Sequence, residues 1–332
     1  MFFLKFILIS SALKIGFCGA KFLSIGMSPR AMGLGEAYVA VASDLSSVFW
    51  NPAGVAAVSA KRGMYIGYTH WWAQTELPGF LYVQNVGTIG KIGVFASGVY
   101  SYGFKETKVE MDRVIYTGNE FEYTALQFGL TYSNYMTDKF ALGFNIKGVY
   151  EGFGDLTNGM TFALDAGTMF NFYKSYSDTT RYAGWKSLRL GMSMQNLGAD
   201  MKPEGTYTQW VLEGAEMKEI EKEYKSYSLP LIFRMGLAME VINNPMHKLT
   251  VSTEMTHPID NDETIALGFE YSFKEILYGR IGYILNIGEI ENHVHGLGAG
   301  IGIKWQRFQV DYSFSDQTYL PDIHRVGISL MF

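Results

Sequence analysis

His293 and His295 stand two residues apart and would share one face of a strand, a spacing that offers two imidazoles to a metal such as zinc. A zinc site also needs further ligands and a second shell that orients them, and nothing nearby supplies that pattern. Histidines at a loop mouth are the plainer reading. Asp260, Asp262 and Glu263 form an acidic group that could collect a divalent cation through carboxylate oxygens, although a solvated loop asks less of them. Trp71 and Trp72 fall at the end of a candidate strand, where aromatics more often form an interfacial girdle than a ligand box. The sequence holds no Gly-x-Ser-x-Gly elbow, phosphate loop, His-Glu-x-x-His or EF-hand run. It therefore predicts no enzyme, no catalytic residue, no cofactor and no metal centre.

The elements that would carry these residues are strands. Of 332 residues, 18% are charged, below the quarter usual in soluble proteins, while 22 Tyr, 23 Phe and 37 Gly are generous counts. The net charge of -5, with no Lys/Arg stripe, excludes nucleic acid as a partner. From Lys139 to Glu151 the chain alternates, with Phe140, Leu142, Phe144, Ile146 and Tyr150 on one face and Asn145, Lys147 and Glu151 on the other. The pattern recurs at 188–195, 265–273 and 308–314.

Alternation alone fits a soluble barrel as well as a membrane one. Three features favour the membrane. The apolar face carries more large side chains than the inside of one barrel could hold. The opposite face is rich in glycine, as at Gly298, Gly300 and Gly302. The chain ends on Phe332, with Leu330, Ile328 and Val326 in phase. Arg189 or Lys147 facing lipid near the midplane would cost about 2–4 kcal/mol each, so both should face the lumen.

Candidate strands fall at 62–74, 78–87, 91–104, 121–136, 139–153, 160–174 and 186–198, then 229–242, 247–258, 264–274, 277–287, 294–305, 307–316 and 322–332. The count is fourteen, even as a single-chain bacterial barrel requires. If the last strand ends in the periplasm, the long connections 105–120 and 199–228 lie outside, and tight turns at 243–246 and Gln306 lie on the periplasmic side. The link 175–185 is long for that side. Within 199–228, the charges from Glu213 to Tyr224 have a spacing that suits a short helix.

Residues 1–20 read as a signal peptide, with Lys5 before an apolar run from Phe6 to Leu13 and small residues Gly19 and Ala20 at the end. The sole cysteine, Cys18, lies within it and follows Phe17, a poor setting for acylation. Cleavage after Ala20 would leave no cysteine for a disulfide or thiolate chemistry. The stretch 21–61 lacks alternation and fits a periplasmic tail, a helix pair or a plug equally.

The segment from Phe22 to Asp44, with Arg30, Gly33 and Gly35, and the following Val48-Phe-Trp-Asn51-Pro52-Ala53-Gly54 resemble the opening of the FadL superfamily, in its PorV/PorQ branch. Met192 to Gly198, Val310-Asp311-Tyr312 and His324-Arg325 resemble the same branch. The resemblance implies a fourteen-stranded transmembrane β-barrel over 62–332 with an N-terminal hatch, residues 21–61, folded into its lumen. It assigns Arg30, Gly33, Gly35, Asp44, Asn51, Pro52, Ala53 and Gly54 to the hatch, as structural or gating residues. The residues themselves suit such a place: Gly33 and Gly35 permit tight turns, Arg30 and Asp44 need polar partners inside a barrel, and Pro52 holds Asn51 extended so that its amide can bond backbone.

On function, the resemblance implies an outer-membrane protein associated with type IX secretion that binds or shuttles cargo proteins. The alternative is FadL-like passive passage of fatty acids or aromatic hydrocarbons, with a hydrophobic ligand in the lumen. Outer-membrane lipid is a partner on either reading. A lipid-modifying enzyme would need a Ser or His constellation at the outer rim, and the sequence shows none.

Overall fold

The structure, a computed structural model, describes residues 18–72, 75–110, 113–172, 187–213, 216–287, 296–317 and 320–332. The leader up to residue 17, the 175–185 link and the His293/His295 pair lie outside the described residues.

The first seven strands are β1 (Arg62–Trp71), β2 (Thr75–Asn85), β3 (Lys91–Glu110), β4 (Arg113–Tyr135), β5 (Phe140–Phe153), β6 (Thr157–Asn171) and β7 (Arg189–Gly198). A separate hairpin follows, β8 (Thr206–Glu213) with β9 (Glu216–Glu223). The second half supplies β10 (Ile232–Asn243), β11 (His247–Pro258), β12 (Thr264–Phe273), β13 (Leu277–Asn286), β14 (Gly296–Trp305), β15 (Phe308–Gln317) and β16 (Leu320–Met331). All except β8 and β9 form one closed antiparallel barrel of fourteen strands, sealed by β1 against β16 from Gly63↔Met331 to His70↔His324.

Closure matters because no water in hydrocarbon can satisfy an open sheet edge. The alternation then sets the faces. Along β14, Leu297, Ile301 and Ile303 point outward, Ile301 being 60% exposed, while Gly298, Gly300 and Gly302 are buried. Lys147 and Arg189 face inward, as the cost of charge in lipid requires, and pair with Asp165 at 2.8 Å and Glu240 at 3.4 Å. Tight turns gather at the rim that carries Phe332: the Asn244 side chain accepts from the Met246 and His247 amides, and Gln306 turns at φ 53°.

Two expectations need correction at the opposite rim. The connection 105–120 is not a loop, because β3 and β4 run through it as one paired hairpin, bulged near residues 101–107. Of their 20 and 23 residues, only about 9–11 are needed to cross a bilayer. The helix expected within 213–224 is also absent, since those residues pair as β8 and β9. A twelve-residue helix standing alone is marginal in water, whereas the Tyr- and Thr-rich stretch before it offers a strand partner, tied on by Thr206 Oγ1 to Glu221 and by Lys202 to Glu223 at 2.7 Å.

The residues before β1 fill the lumen. They comprise a 3-10 turn at Lys21–Ser24, a short helix α1 (Pro29–Gly33), and 3-10 turns at Leu45–Phe49 and Pro52–Ala57. Tyr38, Val39, Ala40, Val41 and Trp50 are buried together against Ala141, Met169 and Ala238 of the wall. Parts of its backbone lie directly on the strands. Glycines in the wall make room: a methyl on Gly282 would overlap the Leu34 carbonyl, and one on Gly298 would overlap that of Met32. Gly279, on the outer face of β13, has open space around it.

Gly282→Ala should therefore displace the N-terminal segment at a cost of about 1–3 kcal/mol while leaving the wall closed. Gly279→Ala should be silent. Limited proteolysis of the N-terminal segment, read beside the heat-modifiable mobility of the barrel, separates the two effects.

Candidate functional site

The lumen is held by charges that reach from the N-terminal segment to the wall. Arg30, on α1, is a fork: Nε and Nη2 donate to the two Glu270 oxygens at 2.8 and 2.7 Å, while Nη1 donates to Asp44 at 2.8 Å and Ser43 at 3.0 Å. Glu270 accepts also from Arg280 Nε at 2.7 Å, and Arg280 Nη1 reaches Asp311 at 2.6 Å. Two arginines thus alternate with three carboxylates across α1, β12, β13 and β15. Bidentate geometry of this kind is the strong form of a charge-assisted bond. Toward the rim carrying Phe332, the cluster borders a cavity of about 190 Å³, also lined by Lys248, Lys304 and Gln309.

Asp44 organises the turn that follows it. Its side chain accepts from the Ser46 amide at 2.9 Å as an N-cap and from the Tyr38 hydroxyl at 2.8 Å. Asn51 behaves as Pro52 dictates: it is extended at φ −142°, ψ 99°, its amide donates to the Val39 and Thr168 carbonyls at 2.9 and 3.1 Å, and its oxygen caps the Ala53 amide at 3.1 Å. Ala53 returns a carbonyl to Ser133 Oγ at 3.2 Å. A methyl on Gly54 would stand 2.7 Å from the Ala42 carbonyl oxygen.

Gly35 takes φ 57°, so the turn accounts for it. Gly33 needs a different reason, since it lies in α1, and a methyl there would sit 3.1 Å from Gly300 Cα. Close approach, not turn geometry, selects glycine at that position.

Sequence reasoning missed the second anchor. Glu254 of β11, 1% exposed, accepts from the Tyr38 and Val39 amides at 2.8 and 2.6 Å and from Trp50 Nε1 at 3.0 Å. Arg234 stands 3.5 Å from the same carboxylate and lies 3.8 Å over the Trp50 ring. A buried carboxylate with this many donors is a clamp for a bare loop backbone. The only trace in the sequence was a charge at an inward position of an alternating strand, as for Glu270 and Asp311. Asn196 belongs to a third group: it takes φ 64° at a bulge, accepts from Lys147 at 2.6 Å and donates to the Pro230 carbonyl at 2.8 Å.

The remaining candidates disperse. Asp260 pairs with Lys21 and Glu263 with His257 at 3.1 Å, so the acidic group is engaged in separate contacts. Trp71 is not a girdle residue: it sits in the inward phase of β1, half-buried, under the Arg325 guanidinium at 5.4 Å, and only Trp72 is exposed. Tyr227, before β10, donates to Glu151; burial and that bond push its hydroxyl above the usual range and keep it a donor.

A closed barrel with an apolar exterior and a polar lumen occupied by its own N-terminal segment defines a FadL-like barrel of the bacterial outer membrane. Solved structures agree on the fold. The monoaromatic hydrocarbon channel CymD superposes with a TM-score of 0.60 at 11% identity, covering 92% of this chain and 98% of its own. The toluene transporter TodX of Pseudomonas putida gives 0.54 at 10% identity over 90% and 95%, and a FadL homologue of Pseudomonas aeruginosa 0.54 at 11% over 92% and 98%. No curated protein matches the sequence. The family described as type IX secretion system protein PorV matches residues 13–260, more than half of the chain, and the chain belongs to that family. Membership makes it an outer-membrane barrel of a family that is not enzymatic.

Glu254→Ala should cost about 3–5 kcal/mol, because Arg234 and three N–H donors lose their acceptor inside the barrel. A double-mutant cycle on Arg30→Met and Glu270→Met should return a coupling of about 1–3 kcal/mol. Urea unfolding in detergent micelles measures both.

Proposed function

We propose that this protein receives secreted proteins at the cell surface, its β3–β4 hairpin acting as the docking element and its N-terminal residues 21–61 as a standing hatch. The observation that carries the reading is the hairpin itself. Roughly half of β3 and β4 stands beyond the length needed to cross the bilayer, and it carries exposed Tyr102, Phe104, Val114, Ile115 and Tyr116. Val114 is 72% exposed. Phe104 and Phe121 stack across the hairpin at 5.5 Å, which stiffens it. Apolar and aromatic side chains presented to water on a rigid hairpin are the composition of a protein interface. The tight turns at the other rim support placing the hairpin outside the cell. Cleavage of residues 1–20 fits the same route.

The lumen supports a hatch that stays shut. Opening it would break the Arg30 fork, the Glu254 clamp and the Asn51 bonds together, each of them buried. Passage of hydrophobic molecules is the second reading, favoured by the likeness of the fold to hydrocarbon channels.

The test is affinity purification of the tagged protein from its native outer membrane, with mass spectrometry of bound protein and lipid. Cargo or secretion components should co-purify, and replacing residues 104–121 with a short turn should remove them while the barrel keeps its heat-modifiable mobility. A protein-free barrel carrying stoichiometric lipid would overturn the secretion reading in favour of hydrophobic transport.

A further inference from the structure

The ion pairs described above account for the charges at the centre of the lumen, yet near the hairpin rim two opposite charges stand apart. Arg325 of β16 is 1% exposed. Its Nε donates to the Gly26 carbonyl at 3.0 Å and its Nη1 to Ser315 Oγ at 3.0 Å. Among the described residues no hydrogen bond is made by Nη2, and the carboxylate that acts on the guanidinium, Glu36, does so through space and not by contact. Glu36 is the second. Its carboxylate likewise contacts no donor among the described residues, and its backbone is held at φ 68°, a left-handed conformation that costs a non-glycine residue about 1–3 kcal/mol.

Arg325 and Glu36 line one cavity of about 220 Å³. Its wall includes Ile25, Met32, Ile284 and Trp71, so the two charges border one largely apolar space. Trp71 also lies against the guanidinium at 5.4 Å. A buried guanidinium whose counter-charge, the half-buried Glu36, stands off without contact is expensive, and backbone strain at that counter-charge is a mark of a binding site.

We propose that this cavity binds a small zwitterion with an apolar body, a hydrophobic α-amino acid. Its carboxylate accepts from Arg325 Nη2, its ammonium donates to Glu36, and its side chain lies against Ile25, Met32, Ile284 and Trp71. Charge balance selects the class: a simple carboxylate would leave Glu36 unpaired and repelled, and a simple amine would do the same to Arg325. Size agrees, since the cavity is smaller than the roughly 300–1,000 Å³ that takes a drug-sized ligand. The inference stands apart from the secretion reading, because it uses neither the hairpin nor a cargo protein.

The test is isothermal titration calorimetry on the purified full-length protein in detergent, with L-phenylalanine as probe and 3-phenylpropionate and 2-phenylethylamine as its one-charge analogues. Phenylalanine should saturate one site with a Kd at or below about 1 mM. Each analogue should bind at least about tenfold more weakly, a difference of about 1.4 kcal/mol. Glu36→Gln, which breaks none of the direct ion pairs described above, should weaken phenylalanine at least about tenfold and remove its advantage over 3-phenylpropionate. Absence of saturable phenylalanine binding, equal binding of either analogue, or an unchanged affinity in Glu36→Gln would each overturn the proposal. Because the analogues are compared on the unaltered protein, the outcome does not depend on whether an Arg325 variant folds.

Discussion

A backbone that crosses hydrocarbon has to satisfy every N–H and C=O within itself, and the pairing of β1 with β16 is where this chain does so. Once the ladder is closed, each strand has one face in lipid and one in the lumen. Charge is then excluded from the first face and collected on the second. Lys147, Arg189, Arg234, Glu254, Glu270, Arg280 and Asp311 all look inward for this reason. A lumen lined with charges cannot be filled by an ordinary hydrophobic core.

The N-terminal segment solves that problem with backbone and with one cation. Its amides meet Glu254, its Arg30 joins the carboxylate cluster of β12 and β15, and two of its short turns start from Asp44 and Asn51 as N-caps. Because the contacts are made by main chain lying on main chain, the wall must carry glycine where the two meet, and Gly282 and Gly298 do. The N-terminal segment and the wall are complementary in charge and in shape, so neither is a complete structure alone.

This division of labour also explains where variation is affordable. The centre of the lumen is a cooperative network in which Arg30, Glu254, Glu270 and Arg280 each have two or more partners, a poor place for a moving part. The rim opposite Phe332 is looser: there β3 and β4 extend beyond the membrane, β8 and β9 form a detached hairpin, and Arg325 and Glu36 act on each other across a cavity without touching. The proposed docking hairpin lies in the part of β3 and β4 that the membrane-spanning ladder does not constrain.

By itself the sequence determined the barrel, because strand periodicity is local and survives without neighbours: all fourteen wall strands were legible, most to within a few residues, and so was the inward aim of Lys147 and Arg189. It also marked Asn51-Pro52 and Arg30, whose chemistry is short-range or demands a partner wherever it goes. The tertiary structure alone decided which partner. Glu254 meets Tyr38 and Trp50 across more than two hundred residues, Gly33 is glycine because Gly300 lies against it, and Trp71 turns inward to Arg325. It also made strands of 105–120 and of the expected helix at 213–224, since hydrogen bonding to a neighbouring strand outweighs local charge spacing. Period and polarity are properties of a segment, whereas pairing is a property of two segments that only folding brings together.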